Sequence, residues 1–207
     1  MAPKKAPAAP AAAASGADET TKFIEAHIDA NIDALTLDEF EKFFGDLGID
    51  MAGIEPFVFF WKIGAKGTWS ATKEELIEGF RKEGLTPKTA KPTVDKWAKD
   101  VATNMASFKE CFQFAFMFSR NSTSASVIPV EECKDTMLLF LKKLPQKPKF
   151  SVEKAVGYLE GRGKPINKDH WKEAMRFVLA MDAKCTGYDD QCFNSVFDDL
   201  AEQCTKA

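Results

Sequence analysis

Apolar residues recur every three or four positions from Phe23 onward, in segments separated by Gly, Pro and small polar residues. This spacing matches the turn of an α-helix and places the apolar side chains on one face. Two capping boxes, Thr36 with Glu39 and Thr72 with Glu75, mark the starts of helices in the first half of the chain. The pattern predicts an all-α fold.

The first half of the chain has the outline of an EF-hand pair: helix, loop, a short extended piece at TWSA, and helix. The run IEPFVFFW predicts a buried helix that begins near Gly53, because Pro56 is tolerated only in the first helical turn. Neither loop has the alternating oxygen ligands and the closing Glu that calcium requires. We therefore expect an EF-hand-like unit that binds no calcium.

The second half is expected to contain a linker, a central buried helix and several shorter helices. Two prolines within LTPKTAKPT predict the linker. The run FKECFQFAFMF alternates in part like a strand, but Phe108 and Phe112 share a helical face, and helices are predicted on both sides. We predict a helix there with Ser107 as its N-cap, and a final helix over residues 191–204.

Composition divides the chain into a tail and a domain. Residues 1–18 are rich in Ala, Pro and Lys and hold no large apolar side chain that could anchor them to a core, so we expect a disordered tail. Residues 19–207 fit one large domain or two small packed subdomains. A hydrophobic content of 45% is enough for a sizeable core, without help from metals or disulfides.

Charge and cysteine usage narrow the class of protein. A net charge of −3 argues against a nucleic-acid binder, whose affinity rests on a basic surface. Five cysteines without a CxxC spacing, together with only two histidines, favour inert thiols in a reducing compartment. No apolar run reaches the length of a membrane span, no signal-peptide core precedes the domain, and Ala2 stands where myristoylation requires glycine. We expect a soluble cytoplasmic or nuclear protein without a cofactor.

The sequence offers no GxSxG, HExxH, Walker A or GxGxxG run that could position catalytic groups. His27 and His170 lie beside apolar helix positions, so we expect structural histidines and assign no catalytic residue. Two surface features remain. Between residues 182 and 202 the carboxylates far outnumber the lone basic residue Lys184, which fits either a solvated face or a docking patch. The aromatic runs fit either a core or a groove for a partner's apolar side chain.

Six segments in order carry a resemblance: FGDLGID, FFWKIGAKG, TKEELIEGF, FKECFQFAFMF, INKDHW, and GYDD followed by FDDL. Together they make the chain similar to the defective-in-cullin-neddylation family, with its potentiating-neddylation domain. The resemblance implies two packed helical subdomains over residues 19–207, the first EF-hand-like without calcium. It also implies a non-catalytic co-ligase that contributes proximity, while the chemistry belongs to a conjugating enzyme.

The resemblance further implies two partner sites. A cullin's C-terminal winged-helix region would bind an acidic patch, whose two aspartates fall on Asp169 in KDHW and Asp198 in FDDL. The alanine between them falls on Cys192 after a one-residue deletion, and the neighbouring tryptophan becomes Phe193. The conjugating enzyme's acetylated N-terminal methionine would enter an apolar pocket, and the ring-finger subunit would be brought in indirectly. Transfer of the ubiquitin-like modifier to the cullin would then activate cullin-RING ubiquitin ligases.

The implied pocket keeps its apolar character but redistributes its volume. Two small residues of the family pattern become Phe60 and Trp69, and an aromatic one becomes Ala71. The implied lining residues are Leu37, Phe40, Pro56, Phe59, Phe60, Ile63, Trp69, Leu76, Phe118 and Leu139.

Two other functions stay open from the residues themselves. One is a diverged EF-hand-like regulatory or calcium-binding module, and the other is an enzyme that uses Cys192 as a nucleophile. The chain shows no coiled-coil seam, so we expect a monomer.

Overall fold

The computed structural model describes residues 11–206, with side chains described from residue 18 onward. Over this range it is a helical protein with two pairs of very short strands, which confirms the predicted all-α class. The helices are α1 Ala11–Glu25, α2 Leu37–Leu47, α3 Glu55–Ile63, α4 Lys73–Lys82, α5 Pro87–Thr103, α6 Met105–Phe118, α7 Val130–Leu141, α8 Val152–Gly161, α9 Lys168–Ala180 and α10 Asp198–Lys206. The strands are β1 Ala34–Thr36, β2 Ser70–Thr72, β3 Val127–Ile128 and β4 Ile166–Asn167.

Helices α1 to α4 form two helix–loop–helix units joined by the antiparallel β1–β2 pair, in which Leu35 lies opposite Ala71. Both predicted capping boxes are present, at Thr36 before α2 and at Thr72 before α4. Pro56 lies in the first turn of α3, as predicted, where its missing N–H has no intrahelical partner to lose.

The two loops of these units have matching geometry. Asp33 directly before β1 and Trp69 directly before β2 have positive φ angles of 52° and 48°. In an EF-hand loop the glycine with this conformation is the sixth residue, and a Glu ligand is the twelfth. Counted in this way, the twelfth residues are Glu39 and Glu75. The geometry favours the EF-hand-like interpretation.

This count of loop positions corrects one statement made from the sequence, because each loop does have a Glu at its twelfth position. Both carboxylates are committed elsewhere: Glu39 and Glu75 accept hydrogen bonds from the backbone N–H of their helix N-caps, at 3.0 and 3.2 Å. Positions one, three and five of the loops supply no carboxylate; they are Ile28, Ala30 and Ile32 in the first loop and Gly64, Lys66 and Thr68 in the second.

Three predicted boundaries in the second half are wrong. The linker prediction fails because α5 begins at Pro87, where the proline fits the first turn and the Thr86 side chain accepts a hydrogen bond from the backbone of Thr89. The N-cap of α6 is Asn104 rather than Ser107. The predicted helix over 191–204 starts later, because a 3₁₀ turn at residues 195–197 precedes α10.

Helix α1 begins at Ala11, inside the segment that we expect to be a disordered tail. Alanine has the highest helix propensity of all residues, which accounts for an early start. Residues 1–10 lie outside the described residues. The division of the chain at residue 18 stays a prediction.

One continuous apolar core joins the two halves. Helix α3 packs on α4, α5 and α6, and α6 in turn packs on α5, α7 and α9. Helices α3 and α4 approach so closely that a Cβ at Gly79 would lie 2.4 Å from the Cβ of Ile63, so only glycine fits there. Helix α6 therefore lies between α3 and α5 on one side and α7 and α9 on the other.

Candidate protein-docking sites

An apolar cavity of about 310 Å³ opens where α2, α3, α6 and α7 meet. Its size is at the lower end of the range of small-ligand and side-chain pockets in proteins. The residues that line it are Leu37, Phe40, Met51, Ala52, Pro56, Phe57, Phe60, Trp69, Phe118, Asp135, Thr136 and Leu139.

The cavity has an aromatic floor and an exposed apolar rim. The rings of Phe60 and Phe118 stack with centroids 4.7 Å apart, and Trp69 lies 5.6 Å from Phe118. At the rim, Leu37 is 55% exposed and Met51 is 42% exposed, although both are large apolar residues. Exposed apolar side chains beside an apolar cavity are typical of a docking site for a partner.

Trp69 is held against the cavity by its backbone. Its positive φ of 48° is an uncommon conformation for a residue with a bulky side chain. The backbone N–H of Trp69 donates to the carbonyl oxygen of Phe118 at 3.0 Å, which joins the β2 loop to the end of α6. Two cavity-lining residues from distant parts of the sequence are thus fixed to one another.

The structure brings seven of the ten predicted pocket residues to this cavity. The other three, Phe59, Ile63 and Leu76, lie in the core instead. Successive side chains of a helix point about 100° apart, so Phe59 faces the core while its neighbour Phe60 faces the cavity. Because α3 is apolar all round, the sequence pattern does not distinguish these two directions. The sequence reasoning missed Met51, Ala52, Phe57, Asp135 and Thr136, of which Phe57 had a signal in the aromatic run of α3.

A second, open depression of about 530 Å³ lies between the loop after α9 and helix α10. Its lining includes Asp189, Asp190, Asp198 and Glu202, and within the described residues no Lys or Arg lines it. Asp198 accepts a hydrogen bond of 2.6 Å from the hydroxyl of Tyr188. Burial first, and then this carboxylate, raise the pKa of Tyr188, so the phenol stays protonated and keeps Asp198 in place.

Asp169 is exposed on the first turn of α9, with its side chain 75% accessible. Glu173 and Arg176 follow on the same helical face, at spacings of four and three residues. The loop that contains Phe193 lies against this face, because the Arg176 guanidinium is 4.5 Å from the centre of the Phe193 ring. Asp169 is thus about two helical turns from Arg176, where that loop packs.

Phe193 connects this face to the acidic depression. Its ring stacks on Tyr188 with centroids 5.1 Å apart, and Tyr188 holds Asp198. Of the four residues predicted for the cullin patch, Cys192, Phe193 and Asp198 are therefore linked through Phe193 and Tyr188 to α9, whose first turn carries Asp169. Their role in binding stays a prediction.

Cys192 is exposed, but its surroundings oppose the thiolate form. Its Sγ donates to the Asp189 carboxylate at 3.1 Å, and this carboxylate raises the pKa of the thiol. Reactive cysteines have a lowered pKa beside a cation or a helix N-terminus. Burial likewise raises the pKa of Cys133 to about 12 and that of Cys111 further. The local chemistry thus disfavours Cys192 as a nucleophile.

The two histidines differ in their surroundings. Both ring nitrogens of His27 face acceptors, the carbonyl oxygen of Phe23 at 2.7 Å and the carboxylate of Asp46 at 2.8 Å. Burial lowers the pKa of His170. In the part of the chain that the structure describes, no group of three or more His, Cys, Asp or Glu residues could hold a metal ion. No described helix is long and apolar enough to cross a bilayer.

These features define a helical interaction domain with an apolar cavity at one site and an acidic surface at another. A family model described as cullin binding matches residues 89–203, which extend from α5 to α10. The chain belongs to this cullin-binding family, and its resemblance to the defective-in-cullin-neddylation proteins is confirmed.

Curated relatives agree with this assignment. The chain is 27% identical over 151 residues to DCN1-like protein 5 of Homo sapiens, covering 72% of this chain and 62% of that protein. It is 26% identical over 153 residues to human DCN1-like protein 4, covering 72% of this chain and 50% of the relative. The corresponding Drosophila melanogaster protein is 25% identical over 169 residues, with coverages of 80% and 65%. The match to the first of these spans less than two thirds of that relative's length.

Proposed function

We propose that this protein is a non-catalytic accessory factor for cullin neddylation. In this proposal the acidic region around Asp169 and Asp198 binds the C-terminal region of a cullin, and the apolar cavity binds the N-terminus of the conjugating enzyme. The protein promotes transfer of the ubiquitin-like modifier to the cullin, and through the cullin it contacts the ring-finger subunit indirectly. We also propose that the protein acts in the cytoplasm, in the nucleus or in both.

One observation carries the proposal: the chain matched by the cullin-binding family holds an acidic region and an apolar cavity that share no lining residue. Two partners can therefore be held at once. Holding two reactants together converts a bimolecular encounter into a nearly unimolecular step, and well-oriented systems reach effective molarities of about 10⁵ M or more. The accessory factor needs no catalytic group for this effect.

The acidic region is suited to a basic partner surface. An exposed ion pair contributes about 0.2 to 1 kcal/mol, so two such pairs from Asp169 and Asp198 predict modest binding energy. Salt screens exposed charges over about 8 to 10 Å at physiological ionic strength, so the affinity is expected to fall as salt is added.

Calorimetry with a cullin C-terminal winged-helix fragment tests the first contact. The Asp169→Ala, Asp198→Ala double variant is expected to raise the Kd by about 2- to 30-fold, the sum of two exposed pairs. A matched control, Glu74→Ala with Glu110→Ala, removes the same charge from exposed positions of α4 and α6 and should leave the Kd unchanged. Circular dichroism checks that all variants remain helical.

Single-turnover transfer tests the function as a whole. Cullin, ring-finger subunit and modifier-charged conjugating enzyme are mixed with native protein, with the acidic double variant, or with Leu37→Ala at the cavity rim. Both variants should lose stimulation of transfer, while the control keeps it. No stimulation by the native protein would exclude the accessory role. The alternative, a calcium-binding EF-hand-like module, requires a spectral change on calcium titration.

A further inference from the structure

Asp135 differs from every other residue that lines the cavity, because among the described lining residues it alone carries an ionisable side chain. It lies exposed on α7. The nearest cation in the sequence, Lys134, is turned to another partner and pairs with Glu160 at 2.5 Å. Within the described part of the chain, the carboxylate of Asp135 forms neither an ion pair nor a hydrogen bond.

Further exposed carboxylates lie on α2 and α7, two of the helices that line the cavity. Glu131 lies one turn before Asp135 on the same face of α7, and Glu41 lies one turn after the rim residue Leu37 on α2. Both are exposed. The cavity therefore combines an apolar interior with one exposed carboxylate, that of Asp135, in its described lining.

We infer that the cavity selects a segment in which a large apolar side chain is accompanied, within about one helical turn, by Lys or Arg, and that Asp135 recognises this cation. The inference rests on the proposed function, in which the segment is the N-terminus of the conjugating enzyme. The apolar anchor fills the space over Phe60 and Phe118, while the cation remains at the wetter rim beside Asp135. An acidic or phosphorylated segment would instead meet an unpaired carboxylate, which disfavours the wrong partner through repulsion.

The probe is a fluorescent peptide that corresponds to the N-terminal segment of a neddylation conjugating enzyme, compared with the same peptide in which every Lys and Arg is replaced by Gln. Binding to the full protein is followed by fluorescence anisotropy at low and at high salt. Three variants accompany the native protein. Asp135→Asn removes the charge with little change in size, Glu132→Gln removes a charge from the same helix at a position that does not line the cavity, and Leu37→Ala truncates the apolar rim.

The native protein is expected to bind the cationic peptide about 1.4- to 5-fold more tightly than the neutral peptide, as for an exposed ion pair. Asp135→Asn should abolish this preference, Glu132→Gln should retain it, and high salt should reduce it. Leu37→Ala should weaken both peptides alike, because it acts on the apolar contact.

Equal affinity of the native protein for the two peptides, or a preference that survives in Asp135→Asn, overturns the role of Asp135 but leaves the cavity as the conjugating-enzyme site. If neither peptide binds, the proposed function of the cavity fails and the inference fails with it. The two failures are therefore distinguished by the neutral peptide alone.

Discussion

Trp171 offers the sharpest test of how the acidic region is held in place. Its side chain is fully buried in α9, one helical turn or less from Asp169. The indole Nε1–H donates to the carbonyl oxygen of Phe112 in α6 at 2.8 Å, and the two rings stack with centroids 4.8 Å apart. Replacing Trp171 by Phe keeps an aromatic ring but removes both this hydrogen bond and part of the packed volume.

The cost follows from these two losses. A hydrogen bond inside a protein contributes about 0.5 to 1.5 kcal/mol, and truncating a core side chain adds the cost of the space left behind. Together they predict that Trp171→Phe lowers the free energy of unfolding by about 1 to 3 kcal/mol. In a domain of this size each kcal/mol lowers the Tm by about 2 to 4 °C.

Urea denaturation followed by circular dichroism measures this change. Trp97→Phe is the matched control, because Trp97 is only half-buried in α5 and its indole has no hydrogen bond among the described residues. The control should change the free energy of unfolding by about 0.5 kcal/mol or less. If Trp171→Phe costs no more than the control, the link between α6 and α9 is not a principal source of stability.

Three further predictions concern individual groups. Glu173 is 7% exposed and burial raises its pKa, so its contribution to stability is greatest at acidic pH and is lost as the pH rises through that pKa. In thermal melts, Glu173→Gln should therefore be more stable relative to the native protein at pH 8 than at pH 4. A difference in stability that does not depend on pH would contradict this. Hydrogen bonds from His27 and then from Lys42 lower the pKa of Asp46. Asp46→Asn should therefore destabilise the protein at neutral pH, and the difference in the free energy of unfolding between variant and native protein should vanish in acid. Urea titrations at several pH values measure this difference. Cys192→Ala should retain full stimulation of modifier transfer, whereas loss of transfer would support the nucleophile hypothesis.

The helices were largely predictable because their signals are local. Capping at Thr36 and Thr72, the position of Pro56 and the helical face of Phe108 and Phe112 depend on residues within one or two turns, and the structure confirms each. The failures have local causes as well. The two prolines of LTPKTAKPT predict a linker, yet Pro87 favours a helix start, and Pro92 is accommodated within the helix.

The cavity was less predictable because its lining depends on how helices are rotated in the core. Helix α3 is apolar on all sides, so no periodicity indicates that Phe57 and Phe60 face the cavity while Phe59 faces the core. Asp135 lies on α7, distant in sequence from the rest of the rim. No pattern within one helix could have placed it there.

The acidic run shows a similar limit. Asp182 accepts hydrogen bonds from the backbone N–H of Lys184 and Thr186, and Asp189 accepts one from Gln191, so these two carboxylates shape the loop. Asp189 and Asp198 both line the depression, but the carboxylate of Asp198 accepts its hydrogen bond from the Tyr188 hydroxyl rather than from the loop backbone. Charge counts do not separate turn-forming carboxylates from those available to a partner, and only the hydrogen bonds make the distinction.

Helix α6 gives the two sites a fixed relation. Its last residue, Phe118, forms part of the cavity floor and binds the backbone of Trp69, while the carbonyl group of Phe112 in the middle of the helix binds Trp171 of α9. Phe112 and Phe118 are six positions apart on this one regular helix, which thus links the cavity to the helix that carries Asp169. A proximity mechanism depends on such stiffness, because a misplacement of about 1 Å can cost about 100-fold in rate. In the proposed function, the dense aromatic packing along α6 would therefore do more than stabilise the fold: it would fix the distance and orientation at which the two partners meet.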